Sequence, residues 1–356
     1  MDKLKEIQNK IKENNLDAFL FSSKANVFYL SKFNSSNAFV ILTEKDKYFL
    51  TDSRYITSAK EKLKDWNVIE LGTSEKKPLQ HLKEIISQIT KKSIGFEKDK
   101  ITISFYEKLK EGLDRELVGF EGFLNDIRIT KTEEEIDIIR EAVHKIDNVF
   151  KNLIGQIKGL KTELDVRRKI IDLIFEEGGV GESFQSIVAT GKHSAIPHWE
   201  TSDSKIENNQ PLLIDMGLIY KGYCSDFTRT IFLGNVSQKI KDIYKVVKEA
   251  HLEAVNTVKA GIPIKEIDLK AREIISKYGY GDYYKHSTGH GIGVEIHEEP
   301  RIYKDNENIL LENTVFTIEP GIYIPEIGGV RLENIVVARK TGAEILTKTP
   351  LDEIIL

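Results

Sequence analysis

Leu212-Leu213-Ile214-Asp215-Met216 runs through Tyr220-Lys221-Gly222 into Tyr223-Cys224-Ser225-Asp226-Phe227. An apolar run ends in an acid, a glycine-containing turn candidate follows, and a second strand-like run carries another acid. Symmetric pairing about the turn sets Asp215 opposite Asp226. The same construction around Pro325 to Gly329 sets Glu319 opposite Glu333. Like charges facing each other in a sheet are destabilising, and burying them is worse unless something positive sits between them. A metal ion is the obvious candidate.

Between the two hairpins lies His286-Ser287-Thr288-Gly289-His290-Gly291-Ile292-Gly293, followed by His297. The glycines allow close backbone approach, so a histidine there can reach the space between the carboxylates. Four carboxylates and one imidazole suit two divalent metals, whose four positive charges match the acids and leave a bridging hydroxide as the active anion. Oxygen-rich ligation without thiolate favours Mn²⁺ or Co²⁺, with Zn²⁺ also admitted. Two such ions can share a water, lower its pKa and aim it at a carbonyl, so hydrolysis is the natural reaction. The glycine pattern does not have the spacing of a dinucleotide loop, and no phosphate-loop Lys-Ser/Thr follows it.

The 356 residues suffice for two domains, and 40% hydrophobic content with only 8 prolines supports ordered structure. A net charge of -4 with lysines spread along the chain argues against nucleic acid, leaving small or peptidic partners. The start, Met1-Asp2-Lys3-Leu4-Lys5-Glu6, has charges at helical spacing and lacks the apolar core of a signal peptide. No apolar stretch is long enough to span a bilayer. One cysteine excludes an internal disulfide and points to a reducing cytoplasm.

The first part alternates helical and strand-like segments and reads as one mixed α/β domain, residues 1–127. Leu4, Ile7 and Ile11 share a helical face. Ala18 to Phe21, Ala38 to Leu42, Tyr48 to Leu50, Val68-Ile69 and Ile94 to Phe96 read as strands; Tyr55 to Leu63, Leu79 to Ile89 and Phe105 to Leu113 read as helices. His81 is expected on a helix surface. The boundary falls within Leu124 to Lys131. Thr132-Glu133-Glu134-Glu135 then forms a capping box before an amphipathic helix bearing Ile136, Ile139, Val143, Ile146, Phe150 and Leu153. Thr162 opens a second helix closing at Gly178-Gly179. Ser237 to Ala260 and Ile264 to Tyr278 make two more, ended by Gly261 and Gly279. Strand-like segments Leu212 to Met216, Tyr223 to Phe232, Val315 to Ile318 and Ile335 to Ala338 alternate with them, so residues 128–356 are α+β with an antiparallel sheet bearing the acids. Cys224 is expected as a buried, inert thiol facing away from Asp226, with Tyr223 and Phe227 in the core. Arg331 alternates with Glu333 and points to the same side.

At this point the residues resemble a known family, the pita-bread metallopeptidases, in the branch of prolidase and aminopeptidase P. The matching segments are Asp215-Met216-Gly217, Ser225 to Thr230, His286 to Gly293 with His297-Glu298-Glu299-Pro300, Thr317 to Gly321, and Arg331-Leu332-Glu333-Asn334. The first domain resembles the creatinase-like amino-terminal domain of this family more loosely. The resemblance implies that Asp215, Asp226, His290, Glu319 and Glu333 are metal ligands, with Asp226 and Glu333 bridging and Glu319 also the general base. It implies substrate-binding and catalytic roles for His198 and His297, a supporting role for His286, and a role for Arg331 in orienting the site or engaging a substrate carboxylate. The alternative for Arg331 is an ion pair with a ligand acid. His193 reads as a loop residue. The implied reaction is cleavage of the Xaa-Pro bond at the N-terminus of dipeptides or short peptides, by a homodimer. Proline selectivity comes from the resemblance alone, and length leans slightly to the dipeptidase. The alternatives are a methionine aminopeptidase-like enzyme, or a peptide-binding protein that keeps the fold without catalysis.

Overall fold

The computed structural model describes residues 3–72 and 74–356; the part of the amino-terminal charge pattern at Met1 and Asp2 lies outside the described residues, as does Thr73. Two compact units, Met1–Ile127 and Arg128–Leu356, divide the chain.

The first unit contains α1 (Lys3–Glu13), β1 (Ala18–Phe21), α2 (Lys24–Ser31), β2 (Ala38–Thr43), β3 (Lys47–Thr51), α3 (Ile56–Lys62), β4 (Asn67–Glu70), α4 (Pro78–Ile89), β5 (Ser93–Glu97), α5 (Ile103–Lys110) and β6 (Glu116–Phe120). Its six-stranded mixed sheet has the order β4-β3-β2-β1-β5-β6. Pairing is antiparallel around β2 and parallel at both edges. Leu20, Ile41, Leu50, Ile85, Ile86 and Ile94 fill its core. His81, expected on the helix surface, is instead half-buried on α4.

A short helix, α6 (Asn125–Ile129), crosses the division and leads to α7 (Glu133–Gln156). Thr132 Oγ1 accepts from the Glu135 amide at 3.2 Å, while Glu135 Oε2 accepts from the Thr132 amide at 2.9 Å. Such a reciprocal cap is worth about 1 kcal/mol and fixes where the helix begins. Glu135 Oε1 also accepts from Tyr223 Oη at 2.8 Å, so the same cap holds one arm of the first acidic hairpin. Next come α8 (Glu163–Glu176), β7 (Ile187–Thr190), β8 (Gln210–Met216), β9 (Ile219–Tyr220), β10 (Tyr223–Cys224) and β11 (Phe227–Leu233). The antiparallel sheet β11-β8-β7 presents Leu212, Ile214, Met216, Phe227 and Ile231 to the apolar faces of α7 and α8. By the two-residue period, Leu213, Asp215, Thr228 and Thr230 lie on the other face.

After α9 (Gln238–Thr257) and α10 (Lys265–Lys277), a five-stranded antiparallel sheet takes the order β13 (Glu298–Ile302), β12 (Gly289–Gly291), β14 (Val315–Ile318), β17 (Asn334–Arg339), β18 (Gly342–Ile345). The hairpin β15 (Gly321–Ile324) and β16 (Gly328–Arg331) completes the unit. Val247, Ala254, Ile267, Ile275, Phe316, Ile318 and Val336 form the core beneath α9 and α10.

Two further expectations are corrected. Helix α9 stops at Thr257, before Gly261, because Val258 turns extended and the amides of Ala260 and Gly261 bond to Arg339 O and Leu310 O. Asp215 does not face Asp226: its ladder partner is Thr228. The turn has two central residues, Lys221 at φ 48° and Gly222 at φ 81°, the paired positive φ values that a tight hairpin turn of primed type requires. Tyr220 pairs with Tyr223 and leaves the turn, and the register moves by two residues. An even shift preserves the face, so Asp226 stays on the side of Asp215 as its diagonal neighbour. In the second hairpin Ile318 pairs with Asn334 and Gly321 with Arg331, which places Glu319 and Glu333 at opposing positions.

Candidate metal centre

Asp215 is the last residue but one of β8, Asp226 occupies the break between β10 and β11, and Glu333 the break between β16 and β17. Each offers a carboxylate oxygen within 4.8 Å of the other two. His290, on β12, brings Nε2 to 3.5 Å from Asp226 Oδ2 and 3.4 Å from Glu319 Oε1. Only glycine lets β12 lie this close to β14, since a Cβ on Gly289 would fall 1.8 Å from the Thr317 carbonyl oxygen.

The electrostatics fit a cation. His290 Nδ1 lies 3.1 Å from the Gly291 carbonyl, which can only accept, so the ring proton is there and Nε2 carries the lone pair. Burial, then His297, pushes the imidazole pKa down to about 4, which keeps it neutral near pH 7. A lone pair therefore faces two carboxylate oxygens. Burial, then Glu333, Asp215 and Glu319, holds Asp226 well above the usual carboxylate range. Burial, then Glu319 and Asp215, does the same to Glu333. Glu319 is pushed up to about 7, chiefly by burial, with Arg331 opposing and Asp215 assisting. Asp215 Oδ1 and Glu333 Oε1 are buried without a hydrogen-bond partner. Orphaned acceptors at the centre of an acidic cluster fit a divalent ion, which accepts their lone pairs and cancels their charge.

The sign of the resulting pH dependence follows from linkage. Asp226, Glu319 and Glu333 hold protons more tightly folded than unfolded, so their contribution to the stability of metal-free protein is complete below the ordinary carboxylate values and lost as pH rises through the folded ones, near 7 for Glu319. The buried histidines, with pKa values lowered to about 4 for His286 and His290, act in the opposite sense over this window, so the acids are isolated by comparison: chelator-stripped wild type is expected to lose more urea resistance, or gain less, between about pH 5.5 and pH 8 than equally stripped Glu333→Gln, which lacks one raised acid. An equal pH trend in the two proteins would contradict this assignment of the acids.

The remaining expected residues surround this centre. The His297 ring lies 4.3 Å from that of His290, edge to face. His198 is exposed and within charge–charge range of His286 and His297. His286 donates from Nδ1 to Ser287 O at 2.8 Å, leaving Nε2 to accept from Tyr323 Oη at 2.9 Å. Burial, then Arg331, lowers its pKa to about 4. Arg331 forms the ion pair with Asp215, Nη2 to Oδ2 at 2.5 Å. Its Nη1 donates to Tyr323 Oη at 3.0 Å and Pro197 O at 3.3 Å, and its Nε to Thr228 Oγ1 at 3.4 Å. The guanidinium is thus committed to protein groups and orients Asp215. Cys224 is buried, its thiol pushed up to about 12 by burial and then Glu298 and Asp226. His193 sits on a short 3-10 turn, Gly191–Ala195, with Nδ1 2.9 Å from the buried Glu163.

Four contributors were not singled out from sequence. Tyr323 links His286 to Arg331; it lies on β15 four residues after Glu319, at the same two-residue parity, the signal that could have found it. Thr228 Oγ1 donates to Glu333 Oε2 at 2.7 Å, and Thr317 Oγ1 to Glu319 Oε1 at 3.2 Å. Arg229, fully buried beneath the sheet, donates to the carbonyls of Thr228, Glu333 and Thr349 and to Asn334 Oδ1, fixing the backbone that carries Glu333.

Comparison with known proteins agrees with this geometry. The profile of Metallopeptidase family M24 matches residues 137–340, and that of the Creatinase/Prolidase N-terminal domain matches residues 3–130. The Xaa-Pro dipeptidase of Pyrococcus furiosus is 38% identical over 351 residues, covering 98% of each chain. The solved Xaa-Pro dipeptidase from Bacillus anthracis superposes with a TM-score of 0.95 at 35% identity, covering 100% of this chain and 99% of that one. An X-Pro aminopeptidase from Thermotoga maritima MSB8 gives 0.91 at 34% identity, covering 98% and 100%. With both halves matched and the acids gathered as a metallopeptidase needs them, the chain belongs to metallopeptidase family M24, with a creatinase/prolidase domain at its amino-terminal side.

Proposed function

We propose that this protein is a dinuclear-metal hydrolase that cleaves the Xaa-Pro bond at the N-terminus of dipeptides or short peptides. The observation that carries the reading is the meeting of Asp215, Asp226 and Glu333 within 4.8 Å, with a buried oxygen of Asp215 and one of Glu333 lacking a partner. Asp215, Asp226, His290, Glu319 and Glu333 would hold two divalent ions, with Asp226 and Glu333 shared between them. Mn²⁺ or Co²⁺ suits a set of carboxylates and one neutral imidazole, and Zn²⁺ is compatible with it. When bound, the ions supply charge neutralisation and the acidity that makes a water nucleophilic toward a peptide carbonyl.

The residues of this chain do the rest. Glu319, buried with Oε1 3.4 Å from His290 Nε2, takes the proton of the attacking water and can return it to the leaving nitrogen. His297, beside His290, donates to the oxygen on which charge develops, and His198 steadies the substrate from the exposed side. Proline has no N–H in the scissile bond, so a site that takes its hold from the carbonyl and the free amino end loses nothing with an imide. The proposal extends to residues 1–127 as the creatinase-like domain and 128–356 as the catalytic one, a homodimeric assembly, and the cytoplasm as compartment. Among the described residues no helix is long and apolar enough to cross a membrane.

Product analysis on Ala-Pro, Ala-Pro-Ala and Met-Ala-Ser, after dialysis and with Mn²⁺, Co²⁺ or Zn²⁺ added, tests the reading. Release of free alanine from the proline peptides only in the presence of metal is expected. Cleavage confined to Met-Ala-Ser would shift the assignment to a methionine aminopeptidase-like enzyme. Metal binding without cleavage of any of the three would leave a peptide-binding protein.

A further inference from the structure

We propose that Glu163 is a positioning residue that sets the segment from Thr190 to Ser202, and with it Pro197 and His198, against the metal centre. The inference rests on the reading above that His198 holds substrate.

Glu163 opens α8, and its side chain is fully buried. Burying a carboxylate costs several kcal/mol unless donors replace the lost water. Here the donors all come from one stretch of chain. Thr190 N (2.9 Å), His193 Nδ1 (2.9 Å), Trp199 Nε1 (2.9 Å), Ser202 N (3.1 Å) and Ser202 Oγ (2.9 Å) converge on its two oxygens. A carboxylate offers about four lone-pair sites, so five donors saturate it and fix the spacing of residues 190, 193, 199 and 202. The His193 and Trp199 rings stack at 3.9 Å with 18° between planes, which ties the two sides of the segment together. From the opposite side, Arg331 Nη1 donates to Pro197 O at 3.3 Å and the Gly329 amide to Ser194 Oγ at 2.8 Å. Ile196 and His198 themselves are exposed, so packing does not hold the tip. Its place comes from the single Arg331 bond to Pro197 O and from its flanks, and the flanks meet at Glu163. A plain helix-end staple would add stability without touching substrate affinity; an anchor for His198 moves KM.

Trp199 reports on the arrangement, since the chain has 2 tryptophans and the other is Trp66. In a Trp66→Phe background, Glu163→Gln keeps the side-chain size but turns an amide NH₂ toward groups that are themselves donors. The expected result is brighter Trp199 emission as the His193 stack loosens, with KM for an Xaa-Pro substrate raised about tenfold and kcat held within about twofold. Unchanged emission and KM, or a lowered kcat at unchanged KM, would overturn the proposal. If Glu163→Gln does not fold, Trp199→Phe decides, because it removes one donor and keeps a ring against His193: a raised KM supports the anchor and an unchanged KM overturns it. His198→Ala, measured alongside, separates the two readings. A raised KM there with Glu163→Gln unaffected sinks the anchor alone; an unchanged KM there with Glu163→Gln still raised sinks the His198 role and leaves the anchor.

Discussion

Glu333→Gln is expected to lower kcat/KM by on the order of a thousandfold or more, and at the same time to make the metal-stripped protein harder to unfold. The two effects share one cause. Glu333 is buried among Asp215, Asp226 and Glu319, and an oxygen of it has no partner in the protein. Without cations its charge raises the energy of the folded state. Glutamine keeps the volume and an oxygen to accept from Thr228 Oγ1, but carries no charge, so the apo fold gains about 1–2 kcal/mol while the ion-binding set loses a member. Urea denaturation after chelation, read beside steady-state kinetics, checks both halves. A variant that lost activity and apo stability together would show Glu333 to be a structural acid, and the metal assignment would fall with it.

Arg331→Met should act in the opposite direction on the same ledger of charge. The guanidinium is buried, and removing it strands Asp215 Oδ2 and takes a donor from Tyr323 Oη, Pro197 O and Thr228 Oγ1. Breaking one side of a buried pair costs about 3–5 kcal/mol, because the partner charge stays in place. With divalent ions present, Asp215 has another source of compensation, so the loss is expected to shrink. Activity should fall as well, since Tyr323 no longer bridges Arg331 to His286. Denaturation curves for wild type and variant with and without Mn²⁺ give the comparison, and an equal loss in both conditions would argue against a cation beside Asp215.

How much of this was legible before the structure depended on whether the residue pattern had one solution. The capping box at Thr132 did, because a hydroxyl followed three residues later by an acid satisfies two orphan amides at once. The helical stripe from Ile136 to Leu153 and the strands Ala18–Phe21 and Val315–Ile318 were equally plain. The first acidic hairpin had two solutions. Tyr220-Lys221-Gly222 and Lys221-Gly222 are both acceptable turns, and only the backbone dihedrals choose between them. The face of Asp226 survived because the two registers differ by an even number. Helix α2 was missed: its Ala25-Asn26-Val27-Phe28-Tyr29 run buries residues on several sides and so has no amphipathic period. Strands β12 and β13 were hidden for a related reason, since a strand made of Gly-His-Gly looks like a loop until a neighbouring carbonyl needs the space that a side chain would take.

Among the site residues, charged and imidazole groups announced themselves, while the hydroxyls did not. Thr228, Thr317 and Tyr323 are ordinary strand residues in composition, and they matter only because each touches an acid, a histidine or Arg331 in three dimensions. Glu163 was overlooked because its partners begin 27 residues further along the chain.

Cys224 has a practical corollary. With its thiol shifted to about 12 and closed off from solvent, almost none is thiolate at neutral pH, so neither alkylating dyes nor soft ions find a competing sulfur in the folded protein. A cysteine introduced at any solvent-facing position would then be the sole labelling point, and cobalt titrations could be run in air without a reductant to chelate the ion under study.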